Sequence, residues 1–265
     1  MRLTPEGERF VARCRRILNE AEEAESELAQ VHGEPRGVLR VNVPEGGEPY
    51  RRLLVDFQRA YPAVALEVEM TNRRIDLVRE NFDVALRTGA LSDSSLMSRQ
   101  LGSFGTLLVA SPDYLARRGT PTRPSDLKRH DGSMLRQVST GRVHGLRLHA
   151  DEGDVAFGRV ILVASNLDLL IQFAREGRGI AQMLDILVRE EIASGTLVPV
   201  LRHAVSSEIA CHLVWPTREL IPPKLRVFID FAADRLFSAN PGKRSPGASA
   251  TDDVTSRSAR RRART

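Results

Sequence analysis

The residues in this sequence that are placed to contact a ligand are glycines, small polar residues and one glutamate, and they follow short apolar runs. The candidates are Glu45, Gly46, Gly47, Thr71, Asn72, Thr88, Gly89, Ser165 and Asn166. Residues of these types hold a ligand through hydrogen bonds. They do not form a combination of nucleophile, acid and base that could catalyse a reaction. Ser165 can also cap a following helix, whose free backbone N–H groups suit a carboxylate. The pattern predicts a binding site rather than a catalytic centre.

Two of these residues also have a purely structural interpretation, which the sequence leaves open. Ser165 would then be only a helix cap, and Thr88 only a turn residue. Arg87 follows an apolar run. Its guanidinium either pairs with an anionic ligand or forms a structural ion pair with Asp83 or Asp76.

The sequence lacks the residue patterns of an enzyme. Its six histidines show no HExxH or paired metal-ligand spacing, and it contains no GxSxG motif. Neither Cys14 nor Cys211 lies in a nucleophile signature, and two cysteines cannot form a disulfide scaffold or a four-cysteine zinc site. We therefore expect no catalytic residues, no cofactor and no bound metal.

Alternating strand-like and helix-like segments must position the candidate site. In the first half, apolar runs predict strands at 38–43, 64–70 and 82–89, and helices at 50–60 and 73–80. This β-α-β-α-β order is typical of a parallel sheet with crossover helices. The candidate residues then lie at the carboxyl ends of parallel strands, where such sheets bind ligands.

The second half has a similar α/β pattern and then returns to the first. The predicted strands are 99–110, 133–138, 145–149, 155–163, 179–183, 197–201 and 209–215. The predicted helices are 112–118, 166–176, 184–193 and 222–237. Two α/β halves with a returning final helix predict two lobes joined by two crossing strands, with a ligand crevice between the lobes.

The N-terminal part of the chain predicts a separate element, a long amphipathic helix over residues 6–32. Its apolar residues recur at alternating spacings of four and three, which is a heptad seam: Phe10, Cys14, Ile17, Ala21, Ala24, Leu28 and Val31. A stripe this narrow on a polar helix needs either a partner helix or a groove on its own chain. A second copy of the chain supplies an identical stripe, so we favour a homodimer.

The net charge of +5 comes from the C-terminal tail. Residues 238–265 contain seven lysines and arginines against two aspartates, and their Ser, Pro, Gly and Ala content predicts disorder. The remaining residues are neutral as a set, so the high pI says nothing about their partners. The sequence also lacks a secretory signal and any run of roughly 20 apolar residues, which predicts a cytoplasmic protein without a membrane-spanning helix.

An ordered series of short motifs gives the chain a family resemblance. The motifs are LTPEGERF (3–10), GVLRV (37–41), FQRAYP (57–62), DLV (76–78), FDVALRTG (82–89), LVASP (108–112), SN (165–166), GRGIA (177–181) and FIDF (228–231). Their order and spacing resemble those of LysR-type transcriptional regulators. The first motif resembles the end of the wing and the start of the linker helix in that family, and the second resembles the entry into the effector-binding domain.

The resemblance implies an α/β fold in which a long N-terminal helix precedes a two-lobed effector domain like periplasmic binding proteins. The implied parts are a wing remnant and linker or dimerisation helix (1–33), a first lobe (37–111 and 216–237), a second lobe (112–215) and a disordered basic tail (238–265). The resemblance also implies an effector in the inter-lobe cleft, at the candidate residues above. Because the sequence begins at Met1, most of the winged helix-turn-helix that reads DNA is expected to be missing, either by truncation or because the gene product starts upstream.

We therefore expect a LysR-type transcriptional regulator whose small-molecule effector is an organic anion and which forms a dimer or tetramer of identical chains. Promoter DNA is expected as a partner of the intact regulator. The 265-residue chain itself would bind DNA only through its basic tail, without sequence preference. Two alternatives remain: a periplasmic-type solute-binding protein, and a truncated partner that forms mixed oligomers with an intact regulator and blocks it.

Overall fold

The computed structural model describes residues 35–91, 95–138, 140–149, 155–205, 208–217 and 221–237, with scattered residues between 4 and 17. The strands in this part of the chain are β1 (Gly37–Val43), β2 (Val64–Met70), β3 (Val84–Thr88), β4 (Leu96–Ala110), β5 (Asp131–Leu135), β6 (Arg159–Ala164), β7 (Ile180–Leu184), β8 (Val198–Val200) and β9 (Glu208–Pro216). The α-helices are α1 (Glu48–Ala60), α2 (Pro112–Arg118), α3 (Leu167–Arg175), α4 (Arg189–Ala193) and α5 (Pro223–Leu236). Short 3₁₀ helices cover Pro124–Arg129 and Asp185–Val188.

The first three strands form the parallel sheet that the sequence predicts. Strand β1 pairs in parallel with β2 on one side and with β3 on the other. Strand β9 then pairs antiparallel with β3, from Ala85 opposite Val214 to Thr88 opposite Cys211. Because β1, β2 and β3 run in the same direction, their carboxyl ends lie at one edge of the sheet, and the residues that follow them come together.

The 15-residue strand β4 connects the two lobes. Its first part, from Leu96 to Gly105, pairs antiparallel with β9 in the sheet of the first lobe. Its last residues pair with β7 and β8 in the second lobe, where β7, β5 and β6 are mutually parallel. The predicted boundary at 112–215 puts β9 in the second lobe, but the pairing of β9 with β3 and β4 places it in the first sheet. The other predicted boundaries stay predictions.

Aromatic contacts hold helices α1 and α5 on one face of the first sheet. Phe57 of α1 is fully buried, and its ring packs edge-on against Phe228 of α5 with 5.0 Å between the ring centroids. The same apolar cluster continues to Leu170 of α3, so the two lobes share part of their core. A second cluster around Tyr114 and Leu127 belongs to the second lobe.

The helix predicted at 73–80 is wrong, because residues 77–81 form turns. Side-chain hydrogen bonds fix the backbone of this segment. The Glu80 carboxylate accepts a hydrogen bond from the Asp76 N–H, and the Asp76 carboxylate accepts one from the Val78 N–H. The Glu80 N–H also donates to the Asp76 carbonyl, as in a helix, but the chain leaves the helical conformation at Asn81, whose φ is 64°, so only one turn forms.

The strand predicted at 145–149 is also wrong, because only an isolated bridge joins Leu148 to Val205. The Gln182 side chain forms hydrogen bonds with both the backbone N–H and the backbone carbonyl of Arg147. Its Oε1 accepts from the Arg147 N–H at 2.8 Å, and its Nε2 donates to the Arg147 carbonyl at 3.1 Å. Smaller differences are a strand start at 159 instead of 155 and the division of the helix at 184–193 into a 3₁₀ turn and α4.

The described residues of the N-terminal segment are consistent with the predicted helix. Phe10, Cys14 and Ile17 are helical, and the side chains of Phe10 and Ile17 are 69% and 65% exposed. Exposed large apolar side chains are what a seam presents when its partner is not in place. The other seam positions, Ala21, Ala24, Leu28 and Val31, lie outside the described residues, and the dimer stays a prediction.

A buried histidine in the second lobe predicts a loss of stability in mild acid. The ring of His130 is 4% exposed, and its Nδ1 lies 3.2 Å from the Tyr114 hydroxyl, which accepts a hydrogen bond from the Asp131 N–H. The hydroxyl can donate its own proton to Nδ1 only when Nδ1 carries no proton, as in the neutral ring with its proton on Nε2. Burial lowers the pKa of His130. The unfolded chain takes up a proton below about pH 6.5. The folded chain binds this proton only at lower pH, because the pKa of His130 is lowered. The contribution of the neutral ring to the unfolding free energy is therefore fully present above about pH 6.5 and decreases as the pH falls toward the lowered pKa.

His130→Gln is expected to reduce this pH dependence. We expect the loss of unfolding free energy between about pH 7.5 and about pH 5.5 to be smaller in the variant than in the wild type, because one proton-linked group has been removed. Urea denaturation at the two pH values measures the difference. His203→Gln, at an exposed position, is the matched control. An unchanged pH dependence in H130Q would show that the buried ring does not contribute.

Candidate ligand-binding cleft

The residues that follow the parallel strands line a cavity between the two lobes. The cavity has a volume of about 450 Å³, which is within the range of small-molecule sites. From the first lobe its wall includes Pro44 after β1, Thr71 after β2 and Thr88 of β3. From the second lobe it includes Ser165 after β6 and Gln182 of β7. A crevice therefore lies where the strand ends of the two lobes meet.

Several of the predicted ligand contacts line this cavity: Thr71, Asn72, Thr88, Gly89 and Ser165. The others are not part of its wall: Glu45, Gly46, Gly47 and Asn166. These lie beside it, where the lobes touch. A Cβ on Gly46 would lie 3.3 Å from the Asp168 carboxylate, and a Cβ on Gly47 would lie 2.3 Å from Leu187. The role of all nine residues as effector contacts stays a prediction.

Hydrogen bonds cross between the lobes at the edge of the cavity. They run from Asn166 Nδ2 to Glu45 Oε1 (2.8 Å), from Asn72 Nδ2 to the Ser165 carbonyl (3.1 Å) and from the Gly47 N–H to Asp168 Oδ1 (3.2 Å). The Asn72 side chain also accepts a hydrogen bond from the Glu45 N–H at 3.1 Å, which orders the loop after β1. In this conformation, these polar contacts and the close packing of Leu187 against Gly47 together set the distance between the loops.

The cap of helix α3 is Asn166 and not Ser165, so the predicted cap is wrong by one residue. Asn166 Oδ1 accepts a hydrogen bond from the Leu169 N–H at 2.9 Å. Ser165 is exposed, and its carbonyl receives the Asn72 side chain. Both residue types cap helices when their backbone is extended, and the position of the first helical turn decides which one does.

The described lining of the cavity is cationic. It contains no aspartate or glutamate, and its arginines are Arg73, Arg74, Arg87, Arg136 and Arg147. Arg73 is occupied by ion pairs with Glu69 and Glu80, which lie outside the cavity wall. A crevice that carries one sign of charge between low-dielectric walls attracts ligands of the opposite sign. The arrangement therefore favours an anion.

Arg87 binds a neutral amide and not a carboxylate. Its Nη1 donates to Asn42 Oδ1 at 2.6 Å, and Asn42 is fully buried. None of the described ion pairs joins Arg87 to Asp83 or Asp76, and Asp83 instead accepts a hydrogen bond from the Arg40 N–H. Burial, followed by the nearby charges of other arginines, lowers the pKa of Arg87. The structural alternative considered for this residue is therefore not formed, and its charge remains available to a ligand.

Polar residues in the middle of strands also line the cavity, and the sequence analysis missed them. Thr106 lies where β4 passes from the first sheet to the second, and Ser133 and Gln182 lie in β5 and β7. The predicted ligand contacts all follow strand-like segments or end them, so polar residues inside strands were not among them. The available signal was a single polar residue within an apolar run, as at Gln182 in GIAQM. Asn42, the partner of Arg87, is likewise a polar residue within a predicted strand, VLRVNV, which also contains Arg40.

The fold and the cleft together define a two-lobed ligand-binding domain. Within the described ranges, no group of three or more metal-ligating side chains is close enough to hold a metal ion, and no helix has the length and apolar character to cross a membrane. Residues 32–237 match the LysR substrate binding domain. The chain belongs to the LysR family of transcriptional regulators.

Comparison with individual proteins agrees with this assignment. The chain is 35% identical over 241 residues to an HTH-type transcriptional regulator of Xanthomonas campestris, a match that covers 88% of this chain and 70% of that protein. It is 33% identical to the HTH-type transcriptional regulator CrgA of Neisseria meningitidis, over 88% of this chain and 79% of CrgA. These relatives are transcriptional regulators and not enzymes, and the solute-binding alternative is not favoured.

Solved structures of related regulators have the same fold. A structure of CrgA from Neisseria meningitidis matches 88% of this chain and 80% of CrgA, with a TM-score of 0.69 and 31% identity. The full-length Vibrio cholerae virulence activator AphB matches 88% of this chain and 80% of AphB, with a TM-score of 0.62 and 28% identity. The two-lobed fold inferred from the sequence is confirmed.

Proposed function

We propose that this chain senses a small organic anion, which binds in the cleft between the lobes and thereby regulates transcription in the intact regulator. The observation that carries the proposal is a cavity of about 450 Å³ whose wall comes from both lobes and whose described lining contains five arginines and no carboxylate. Leu86, Leu135 and Met183 also line it. An anionic group gains from the positive potential, and its carbon skeleton gains from burial against the apolar residues.

The ligand would act by changing the balance between closed and open lobes. The bonds between Asn166 and Glu45 and between Asn72 and Ser165 hold the lobes in the described arrangement. Each hydrogen bond of this kind contributes about 1 kcal/mol net. A ligand that touches both lobes binds the closed arrangement more tightly, and it shifts the equilibrium by no more than that difference in affinity. Modest differential binding is therefore enough to change the lobe equilibrium.

The N-terminal helix would carry the change to the rest of the assembly. We infer that residues 6–32 pair with the same segment of a second copy, and the exposure of Phe10 and Ile17 supports this pairing. In the intact regulator the DNA-reading part would join this helix, and promoter DNA would be a partner, which makes the cytoplasm the proposed compartment. A mixed oligomer that blocks an intact regulator is the alternative use of the same seam.

A thermal-shift screen of organic anions tests the cleft. Ser165→Trp places an indole at the cavity wall, so we expect it to abolish the stabilisation that bound anions give the wild type. Ser194→Trp is the matched control, because Ser194 is exposed and does not line the cavity. We expect the wild type and S194W to respond alike and S165W not to respond. Anions that stabilise all three proteins equally would bind elsewhere, and the assignment to the cleft would then be wrong.

A further inference from the structure

Two buried side-chain atoms have no hydrogen-bond partner among the described residues, and they belong to neighbouring strands. They are Arg87 Nη2 and His212 Nδ1. Arg87 of β3 and His212 of β9 are directly opposite each other in the antiparallel pairing. Opposite residues on such strands project from the same face, with Cβ atoms about 4.5–5.5 Å apart. The two unpartnered groups therefore share one position on the sheet.

The same face of the sheet carries an apolar wall beside these groups. Ala85 and Val214 are opposite each other two residues away on the same strands, so they project from the same face as Arg87 and His212. Ile75 and Leu77, from the segment before β3, pack on them. Ile75, Leu77 and Val214 line the cavity together with Arg87. Together with His212, which is not itself part of the cavity wall, these side chains are here named the β3–β9 pocket.

The charge of Arg87 is not fully compensated. Its Nη1 binds the neutral amide of Asn42. Burial and the positive charges of Arg74 and Arg73 lower the pKa of Arg87, and the negative charge of Glu80 offsets this effect only in part. Arg74 lines the same cavity and forms none of the described ion pairs. A carboxylate at Nη2 would supply both the missing hydrogen bond and the missing negative charge.

We propose that Arg87 and His212 form an anion subsite that holds the carboxylate of a ligand whose other end is aliphatic. Arg87 Nη2 donates one hydrogen bond to the carboxylate, and His212 donates a second when its proton is on Nδ1. The aliphatic end packs against Ile75, Leu77 and Val214. This inference goes beyond the proposed function, because it places an anchor on the sheet of the first lobe and specifies an amphiphilic carboxylate as the ligand class.

Three small probes separate the parts of this subsite in titration calorimetry with the full 265-residue chain. Hexanoate has a carboxylate and an aliphatic tail, hexan-1-ol lacks the charge, and acetate lacks the tail. We expect the wild type to bind hexanoate roughly tenfold more tightly than either of the others, which is the effect of one charged hydrogen bond. In Arg87→Gln, hexanoate should bind no better than hexan-1-ol. Arg178→Gln, which removes an exposed arginine outside the cavity, should keep the preference.

A second variant keeps the test valid if Arg87→Gln does not fold, which circular dichroism will reveal. His212→Phe changes the neighbouring strand and is expected to weaken hexanoate binding several-fold while leaving hexan-1-ol unaffected. Equal affinities for hexanoate and hexan-1-ol in the wild type, the result if the two atoms bind only water, would overturn the subsite. So would undetectable hexanoate binding, or hexanoate binding that is unchanged in R87Q.

The subsite and the cleft proposal can fail separately. Anion binding that does not depend on Ser165, together with a hexanoate preference that depends on Arg87, contradicts the cleft and supports the subsite. Anion binding that depends on Ser165, with no preference for hexanoate over hexan-1-ol, supports the cleft and overturns the subsite.

Discussion

Phe57→Ala is expected to lower the free energy of unfolding by about 3–5 kcal/mol. The ring is fully buried and lies edge-on to Phe228 and Phe231 of α5, with centroid distances of 5.0 and 5.5 Å. Its removal leaves a cavity between two helices and the sheet, which the surrounding backbone cannot fully close. Because a typical domain is stable by only about 5–15 kcal/mol, this variant should lose much of its folded population on mild heating.

Urea denaturation followed by circular dichroism measures this loss. Val55→Ala is the matched control, since Val55 is on the same helix and its side chain is 50% exposed. We expect the control to change the unfolding free energy by less than about 1 kcal/mol. Similar losses in the two variants would contradict the central position of Phe57 in the core.

Ile17→Asp is expected to convert the proposed dimer largely to monomer. Ile17 is the third position of the heptad seam and is 65% exposed in the single chain. In a paired helix the aspartate would be buried in an apolar seam beside its own copy, and an unpaired buried charge is strongly unfavourable. Sedimentation velocity over a range of protein concentrations measures the change in molecular mass.

Asn19→Asp adds the same charge to the same helix at a position that the heptad spacing places opposite the seam. We expect this control to remain as dimeric as the wild type. An I17D variant that stays dimeric would move the principal interface away from residues 6–32, and the effector domains would then be the surfaces to test. Equal dissociation of both variants would indicate a general effect of charge on the helix.

The cationic cleft is a local feature that the composition conceals. The sequence is neutral before the tail, so its overall charge gives no indication of an anionic ligand. Folding places five arginines around one cavity and keeps every carboxylate out of its described wall. The balancing acids lie elsewhere, as Glu69 and Glu80 do at Arg73. Local charge, and not net charge, therefore supports an anionic effector.

Periodicity and motif order were enough to predict the architecture. The spacing of Leu53, Leu54 and Phe57 predicts a helix with one buried face, and all three side chains are buried. The β-α-β order predicts parallel pairing of the first strands, which the register of β1 with β2 confirms. The ordered motifs identify the LysR family, because a series of short matches over most of a chain is specific even when each match is not. These features depend on local sequence, which is why they can be predicted.

Only the tertiary structure decided the contacts within the cleft. Glu45 and Asn166 are separated by 121 positions in sequence and meet only because the two lobes fold back on each other. The pairing of Arg87 with Asn42, instead of with Asp83 or Asp76, depends on the register of β1 against β3. In each case several residues of the sequence could form the hydrogen bond. The packing of the strands and lobes decides which of them lies within reach.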